Sequence, residues 1–115
     1  MDKAAAIDIG TNTIRMLVAA RSNNRLRPLS RLRRITAMGR SLPSTGSIGK
    51  AEFRDSIDAL RLFRAEMDRL GVARYRACAT AGLRQASNKD RFIEAADEAG
   101  IRIEVIGSDE EARLA

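Results

Sequence analysis

Residues 4–20 read Ala4-Ala5-Ala6-Ile7-Asp8-Ile9-Gly10-Thr11-Asn12-Thr13-Ile14-Arg15-Met16-Leu17-Val18-Ala19-Ala20. Two runs of small and apolar residues, Ala4 to Ile9 and Ile14 to Ala20, flank Gly10-Thr11-Asn12-Thr13. Gly and Asn tolerate positive φ, so the spacing predicts two strands joined by a tight hairpin turn. Such a turn also presents successive backbone N–H groups that can form an anion site. The hydroxyls of Thr11 and Thr13 can donate to phosphate oxygens, and Asp8 at the strand end can hold a Mg²⁺ directly or through water. The same residues also make an ordinary hairpin turn with Asx and Thr hydrogen bonds, and from them alone both readings stand. No Gly-Lys-Ser/Thr follows, so this is not a Walker loop.

Outward from the hairpin, a third, basic strand is expected within Pro28 to Met38, and Gly39 to Gly49 reads as a loop. From Lys50 to Leu70, Phe53, Ile57, Leu60, Phe63, Met67 and Leu70 recur at steps of three or four, which predicts a helix with one apolar face. Gly49 fits its N-cap, with Glu52 in the first turn and Gly71 as its stop. Arg74 to Ala79 reads as a short strand with Tyr75, Ala77 and Ala79 on one face, and Thr80 to Ala86 as a transition. Asn88 can cap a second helix ending at Gly100, and Ile101, Ile103 and Val105 alternate with charged residues as a strand does. Ser108 opens a further helix, and the pattern breaks off within it at Leu114-Ala115, which reads as a truncated chain. The predicted order β-β-β-α-β-α-β-α implies an α/β fold, a mixed sheet led by a β-hairpin with helices packed on it.

Composition bounds the function. The 115 residues fit one domain, with 44% hydrophobic and 31% charged residues, as in ordinary soluble domains. The apolar runs are too short to span a bilayer, and no secretory signal opens the chain, so the expected location is cytoplasmic and membrane-free. One cysteine, Cys78, forbids an internal disulfide, and the absence of histidine forbids a His-based zinc site or a Ser/His triad. Net charge is +6, and no acidic residue lies between Asp8 and Glu52, a stretch holding eight arginines and Lys50. Such a block attracts polyanions, although a solvated basic face explains it equally. Aromatic residues make up 3%, too few for base-stacking platforms, which argues against nucleic acid.

Two later segments carry chemistry. In Ala79-Thr80-Ala81-Gly82-Leu83-Arg84-Gln85-Ala86, small residues follow a strand and let backbone approach a ligand, while Arg84 offers a planar fork for phosphate oxygens or for a carboxylate. In Ser108-Asp109-Glu110-Glu111, Ser108 and Glu111 match a capping box. A glutamate there could instead orient and deprotonate a water.

Taken together, these segments resemble the exopolyphosphatase/guanosine pentaphosphate phosphatase (Ppx/GppA) family. The likeness rests on Ala5 to Thr13, on Ala79 to Ala86 with Asn88, and on Ile103-Glu104-Val105-Ile106 followed by Glu110-Glu111-Ala112-Arg113-Leu114. Gly39-Arg40-Ser41-Leu42 with Thr45-Gly46 resembles the family's glycine loop more loosely, with Arg40 where the family usually carries an acid. The resemblance implies the actin/hsp70/sugar-kinase (ribonuclease H-like) fold. Residues 1–115 would be the N-terminal part of the first phosphatase domain, with the second phosphate loop and the second domain absent.

Residue by residue, the likeness implies Glu111 as the catalytic glutamate and Arg84 as a phosphate-contacting arginine. Gly10, Thr11, Asn12 and Thr13 become the first phosphate loop, with Asp8 at its base as the metal residue. It further implies Mg²⁺, polyphosphate or guanosine pentaphosphate as substrate, and a homodimer at full length. The expected activity is hydrolysis of terminal phosphoanhydride bonds of polyphosphate by the full-length protein, with the fragment inactive alone. Guanosine pentaphosphate 5′-phosphohydrolysis, an ATP-using kinase of the same superfold, and a polyanion-binding module without catalysis are the rivals.

Overall fold

A computed structural model describes residues 2–106, apart from the side chain of Ala81. Strands β1 (Asp2–Ile9), β2 (Thr13–Ser22) and β3 (Arg25–Ile35) form an antiparallel meander. The long helix expected from periodicity runs Lys50–Leu70 and is here α2; a one-turn helix α1 (Leu42–Thr45) precedes it. Strand β4 (Arg74–Ala79) returns beside β1 and parallel to it. A second one-turn helix α3 (Ala81–Arg84), helix α4 (Lys89–Glu98) and strand β5 (Ile103–Val105), parallel to β4, complete the described chain. The sheet order is β3-β2-β1-β4-β5. The helix expected from Ser108 lies outside the described residues.

Period-two alternation decides which sheet face is buried. Ile7, Ile9, Ile14, Met16, Val18, Ala77 and Ala79 point to the covered side and pack against Ile57, Leu60, Phe63 and Met67 of α2 and Phe92 and Ala96 of α4. Phe53 and Phe92 meet edge to face, with centroids 5.2 Å apart at 83°. Gly49 stands at the α2 N-cap with Glu52 in the first turn, and Gly71 ends it at φ 71°, where the Val72 N–H donates to the Met67 carbonyl.

Four local expectations are corrected. The third strand starts at Arg25 rather than Pro28 and ends at Ile35 rather than Met38. The residues with positive φ in the meander are Asn23 (51°) and Asn24 (63°), which turn β2 into β3, and not Gly10 or Asn12. Residues 39–49 hold the one-turn helix α1, and the transition after β4 holds α3. Asn88 stands at the N-cap of α4 without a side-chain capping bond. Its amide instead donates to the Ile48 carbonyl at 3.1 Å and its Oδ1 accepts from the Ile48 N–H at 3.0 Å.

Candidate functional site

Gly10 to Thr13 and Thr80 to Arg84 leave the carboxyl ends of two adjacent parallel strands, since Ile9 pairs with Ala79. In open α/β sheets that edge is where ligands bind. Ile106 joins it from β5, its N–H donating to the Ala79 carbonyl at 3.1 Å.

The turn is built by approach rather than by left-handed backbone. The Gly10 N–H donates to the Thr13 carbonyl at 3.1 Å, and a β-carbon on Gly10 would lie 2.9 Å from that same oxygen. The Thr11 and Asn12 carbonyls are occupied by the segment after β3. Thr36 and Ala37 N–H groups both donate to the Asn12 carbonyl, at 3.0 and 3.1 Å, and the Gly39 N–H donates to the Thr11 carbonyl at 2.7 Å. The N–H groups of Thr11 and Asn12 have no acceptor among the described residues. At Thr11 and Asn12 the turn thus keeps its N–H donors available while the carbonyls of the same two residues are engaged, the polarity that an anion needs. A cleft of about 430 Å³ adjoins it, lined by Thr11, Asn12, Ala37, Gly39, Arg40 and Leu42 with Pro43. Arg40 is exposed there. The loose likeness to the family's glycine loop singled out Gly39-Arg40-Ser41-Leu42 without giving Arg40 a role, and the structure places Arg40 in the lining of this cleft.

Arg84, at the end of α3, is partly buried and donates from Nη1 to the Ile106 carbonyl at 2.7 Å. Its partner is neither a carboxylate nor solvent alone: the side chain is anchored at the exit of β5, with its other guanidinium donors uncommitted to any described acceptor. Glu111 lies outside the described residues.

Asp8 sits on the opposite sheet face from the core, in register with Arg15, which is in register with Arg33 on β3. Among the described residues no helix covers that face. A groove of about 820 Å³ there is lined by Asp8, Arg15, Arg31, Arg33, Cys78 and Thr80, among others. No described carboxylate forms an ion pair with Arg15, Arg31 or Arg33. Seven of the eight arginines of the basic block lie on the β2–β3 hairpin, whose base adjoins the turn. Burial, more than its charged neighbours, pushes the Cys78 thiol up, away from a reactive thiolate.

Mg²⁺ takes oxygen ligands and is commonly held by one or two carboxylates together with water and substrate phosphates. The exposed Asp8 carboxylate is a donor of that kind. Among the described residues no group of three or more acidic, His or Cys side chains could form a closed cage. The donor set fits a metal that substrate helps to hold. Among the described residues no helix is long and apolar enough to cross a membrane.

Comparison with known proteins adds independent weight. A model of the Ppx/GppA phosphatase family matches residues 17–115. A guanosine-5′-triphosphate,3′-diphosphate pyrophosphatase of Aliivibrio fischeri is 33% identical over 111 residues, 96% of this chain and 22% of the relative. A crystal structure of the Aquifex aeolicus member of the Ppx/GppA family superposes with a TM-score of 0.95 at 30% identity, over 99% of this chain and 38% of that one. An exopolyphosphatase from Cytophaga hutchinsonii superposes at 0.92 and 30% identity, over 98% of this chain and 36% of its own. The chain thus spans about a fifth of the curated relative's length, and its fold is that of an actin-like ATPase half-domain.

Proposed function

The chain belongs to the Ppx/GppA phosphatase family, and from that premise we propose that the intact protein hydrolyses the terminal phosphoanhydride bond of inorganic polyphosphate, releasing orthophosphate. The observation that carries this reading is the polarity of the Thr11–Asn12 turn: N–H donors without acceptors among the described residues, beside carbonyls engaged by Thr36, Ala37 and Gly39. The turn would receive the terminal phosphoryl group through these amides and the Thr11 and Thr13 hydroxyls. Arg84 would add a guanidinium contact from the neighbouring strand end, and Arg40 lies within reach of the same cleft.

Asp8 would hold a Mg²⁺, whose chemistry there is to neutralise charge shared among phosphate oxygens. Glu111 would orient a water, take its proton and direct its oxygen in line at the terminal phosphorus. The P–O bond to the bridging oxygen breaks, leaving orthophosphate and a chain one unit shorter. Phosphoryl transfer depends mainly on positioning and electrostatics, which suits donors rather than a covalent nucleophile. Arg15, Arg31 and Arg33, which form no ion pair among the described residues, support steering of a long polyanion toward the turn. The resident compartment under this reading is the cytoplasm, the assembly a homodimer, and residues 1–115 alone inactive.

The Aliivibrio relative, a guanosine-5′-triphosphate,3′-diphosphate pyrophosphatase, favours a second reading, removal of the 5′-terminal phosphate of guanosine pentaphosphate at the same turn. Product analysis separates these. The intact protein is incubated with polyphosphate, with guanosine pentaphosphate, and with ATP plus sugars. Faster orthophosphate release from polyphosphate supports the first reading, and faster release from the nucleotide supports the second. Sugar phosphate formation would replace both with a kinase.

A further inference from the structure

Two glycines from separate loops close on one side chain. A β-carbon added to Gly82, in α3, would overlap the Thr11 Cγ2 methyl and lie 3.3 Å from Thr11 Cβ and 3.7 Å from Leu42 Cδ1. A β-carbon added to Gly39 would lie 2.8 Å from Thr11 Cβ and 3.4 Å from both its Cγ2 and its carbonyl oxygen. Gly39 reaches the turn from the segment after β3 and also donates its N–H to the Thr11 carbonyl. Gly82 reaches it from the end of β4. Contacts this close leave no room for a methyl group at either position unless Thr11 moves.

We propose that Gly39 and Gly82 are positioning residues that clamp Thr11, and that Gly82 is matched specifically to the Thr11 methyl. The clamp fixes χ1 of Thr11, and therefore where its hydroxyl points. It also holds the Thr11–Asn12 peptide, whose carbonyl accepts from the Gly39 N–H and whose N–H is the Asn12 donor. With an added methyl at position 82, Thr11 escapes only by rotating about χ1, which re-aims the hydroxyl, or by displacing the turn away from α3. Either movement spoils the donor array without touching a charged group. The functional half of this inference rests on the phosphatase reading; the packing half does not.

The two contacts differ in the atom they meet, which gives the proposal a specific signature. Serine keeps Cβ and the hydroxyl but lacks Cγ2. Thr11→Ser therefore relieves the clash of Gly82→Ala, whose partner is the methyl, and leaves that of Gly39→Ala, whose nearest partner is Cβ.

The test uses the intact protein as Gly82→Ala, Gly39→Ala, Thr11→Ser and the two double variants. Thermal midpoints and the backbone amide resonances of Thr11 and Asn12 are followed alongside kcat and KM for polyphosphate, at a temperature where each variant is folded. Gly82→Ala is expected to lower kcat by about 100-fold, the scale of an ångström-sized misplacement, and to shift both amides. Thr11→Ser/Gly82→Ala is expected to return to the level of Thr11→Ser alone, while Thr11→Ser/Gly39→Ala stays impaired. Failure of Thr11→Ser to rescue Gly82→Ala in either amide shifts or kcat overturns the matched pair. A lower melting midpoint with unchanged kcat and KM overturns the positioning role. If the wild-type protein hydrolyses none of the substrates above, the phosphatase reading falls, and the amide shifts still decide the pair.

Discussion

Arg84 Nη1 and the Ile106 carbonyl oxygen lie 2.7 Å apart, joining the one-turn helix after β4 to the residue that leaves β5. One donor of the fork fixes the plane of the guanidinium, and a fixed fork loses less entropy when it meets a phosphate. Arg84→Ala should therefore lower kcat/KM for polyphosphate by about 10- to 100-fold, as expected for a lost hydrogen bond to a charged group of roughly 1.5–3 kcal/mol. Arg84→Lys should recover only part of this, since an ammonium cannot serve both Ile106 and a phosphate in one plane. Steady-state kinetics of the folded variants check it, and unchanged kcat/KM in Arg84→Ala would remove the residue from the site.

Asn88 joins the start of α4 to the segment before α2 through both backbone groups of Ile48. Beside it, the Ser87 N–H donates to the Gly46 carbonyl at 2.8 Å. Asn88→Ala should destabilise the fold by about 1–3 kcal/mol, because it leaves two partly buried backbone groups without partners. Asn88→Asp should cost part of that, keeping the acceptor for the Ile48 N–H but losing the donor to its carbonyl. Urea midpoints measure the order wild type, Asp, Ala; equal midpoints would show that water replaces the side chain without loss.

Glu66 gives a pH dependence. Its carboxylate accepts from Arg69 Nε at 2.7 Å and from the Ser30 hydroxyl at 2.6 Å, tying α2 to β3. The Arg69 hydrogen bond first, and the Ser30 bond second, hold its pKa at about 2 instead of an ordinary 4.5. A depressed carboxylate stabilises the fold fully above its unfolded pKa, and the effect is lost as pH falls through the folded value. The stability difference between wild type and Glu66→Gln should be constant at neutral pH and shrink between pH 4.5 and 2. Urea titrations across that range check it, and a constant difference down to pH 2 would contradict it.

Much of the fold is legible because its signals are local. Helix α2 follows from apolar residues three and four apart and from Gly71, and both are properties of neighbouring positions. The start of β3 misleads because Pro28 looks like a strand boundary. It is instead paired with Ala19 where the register shifts after Val18, an irregular place on an edge strand where a missing N–H costs little. The meander's left-handed turn falls at Asn23-Asn24, where two strands must reverse within two residues. The Gly10–Thr13 turn needs no such backbone and spends its glycine on the Thr13 carbonyl.

Of the candidate site, the turn at Gly10 to Thr13 and Arg84 were legible as residue types at strand ends, and their contacts were not. Gly39 and Arg40 reach Thr11 and its cleft only through the pairing of β3 with β2, and Gly82 only after α2 has carried β4 back beside β1. Asn88 forgoes its helix for Ile48 for the same reason: a partner forty residues away in sequence offers it two bonds where the cap offers one.

The most direct measurement is orthophosphate release from polyphosphate by the intact protein, beside polyphosphate retention, for wild type and Glu111→Gln. Release should fall by several orders of magnitude in the variant while retention stays near that of wild type, because the donors at Thr11, Asn12 and Arg84 are untouched. Near-normal release by Glu111→Gln would contradict the role proposed for Glu111 in hydrolysis.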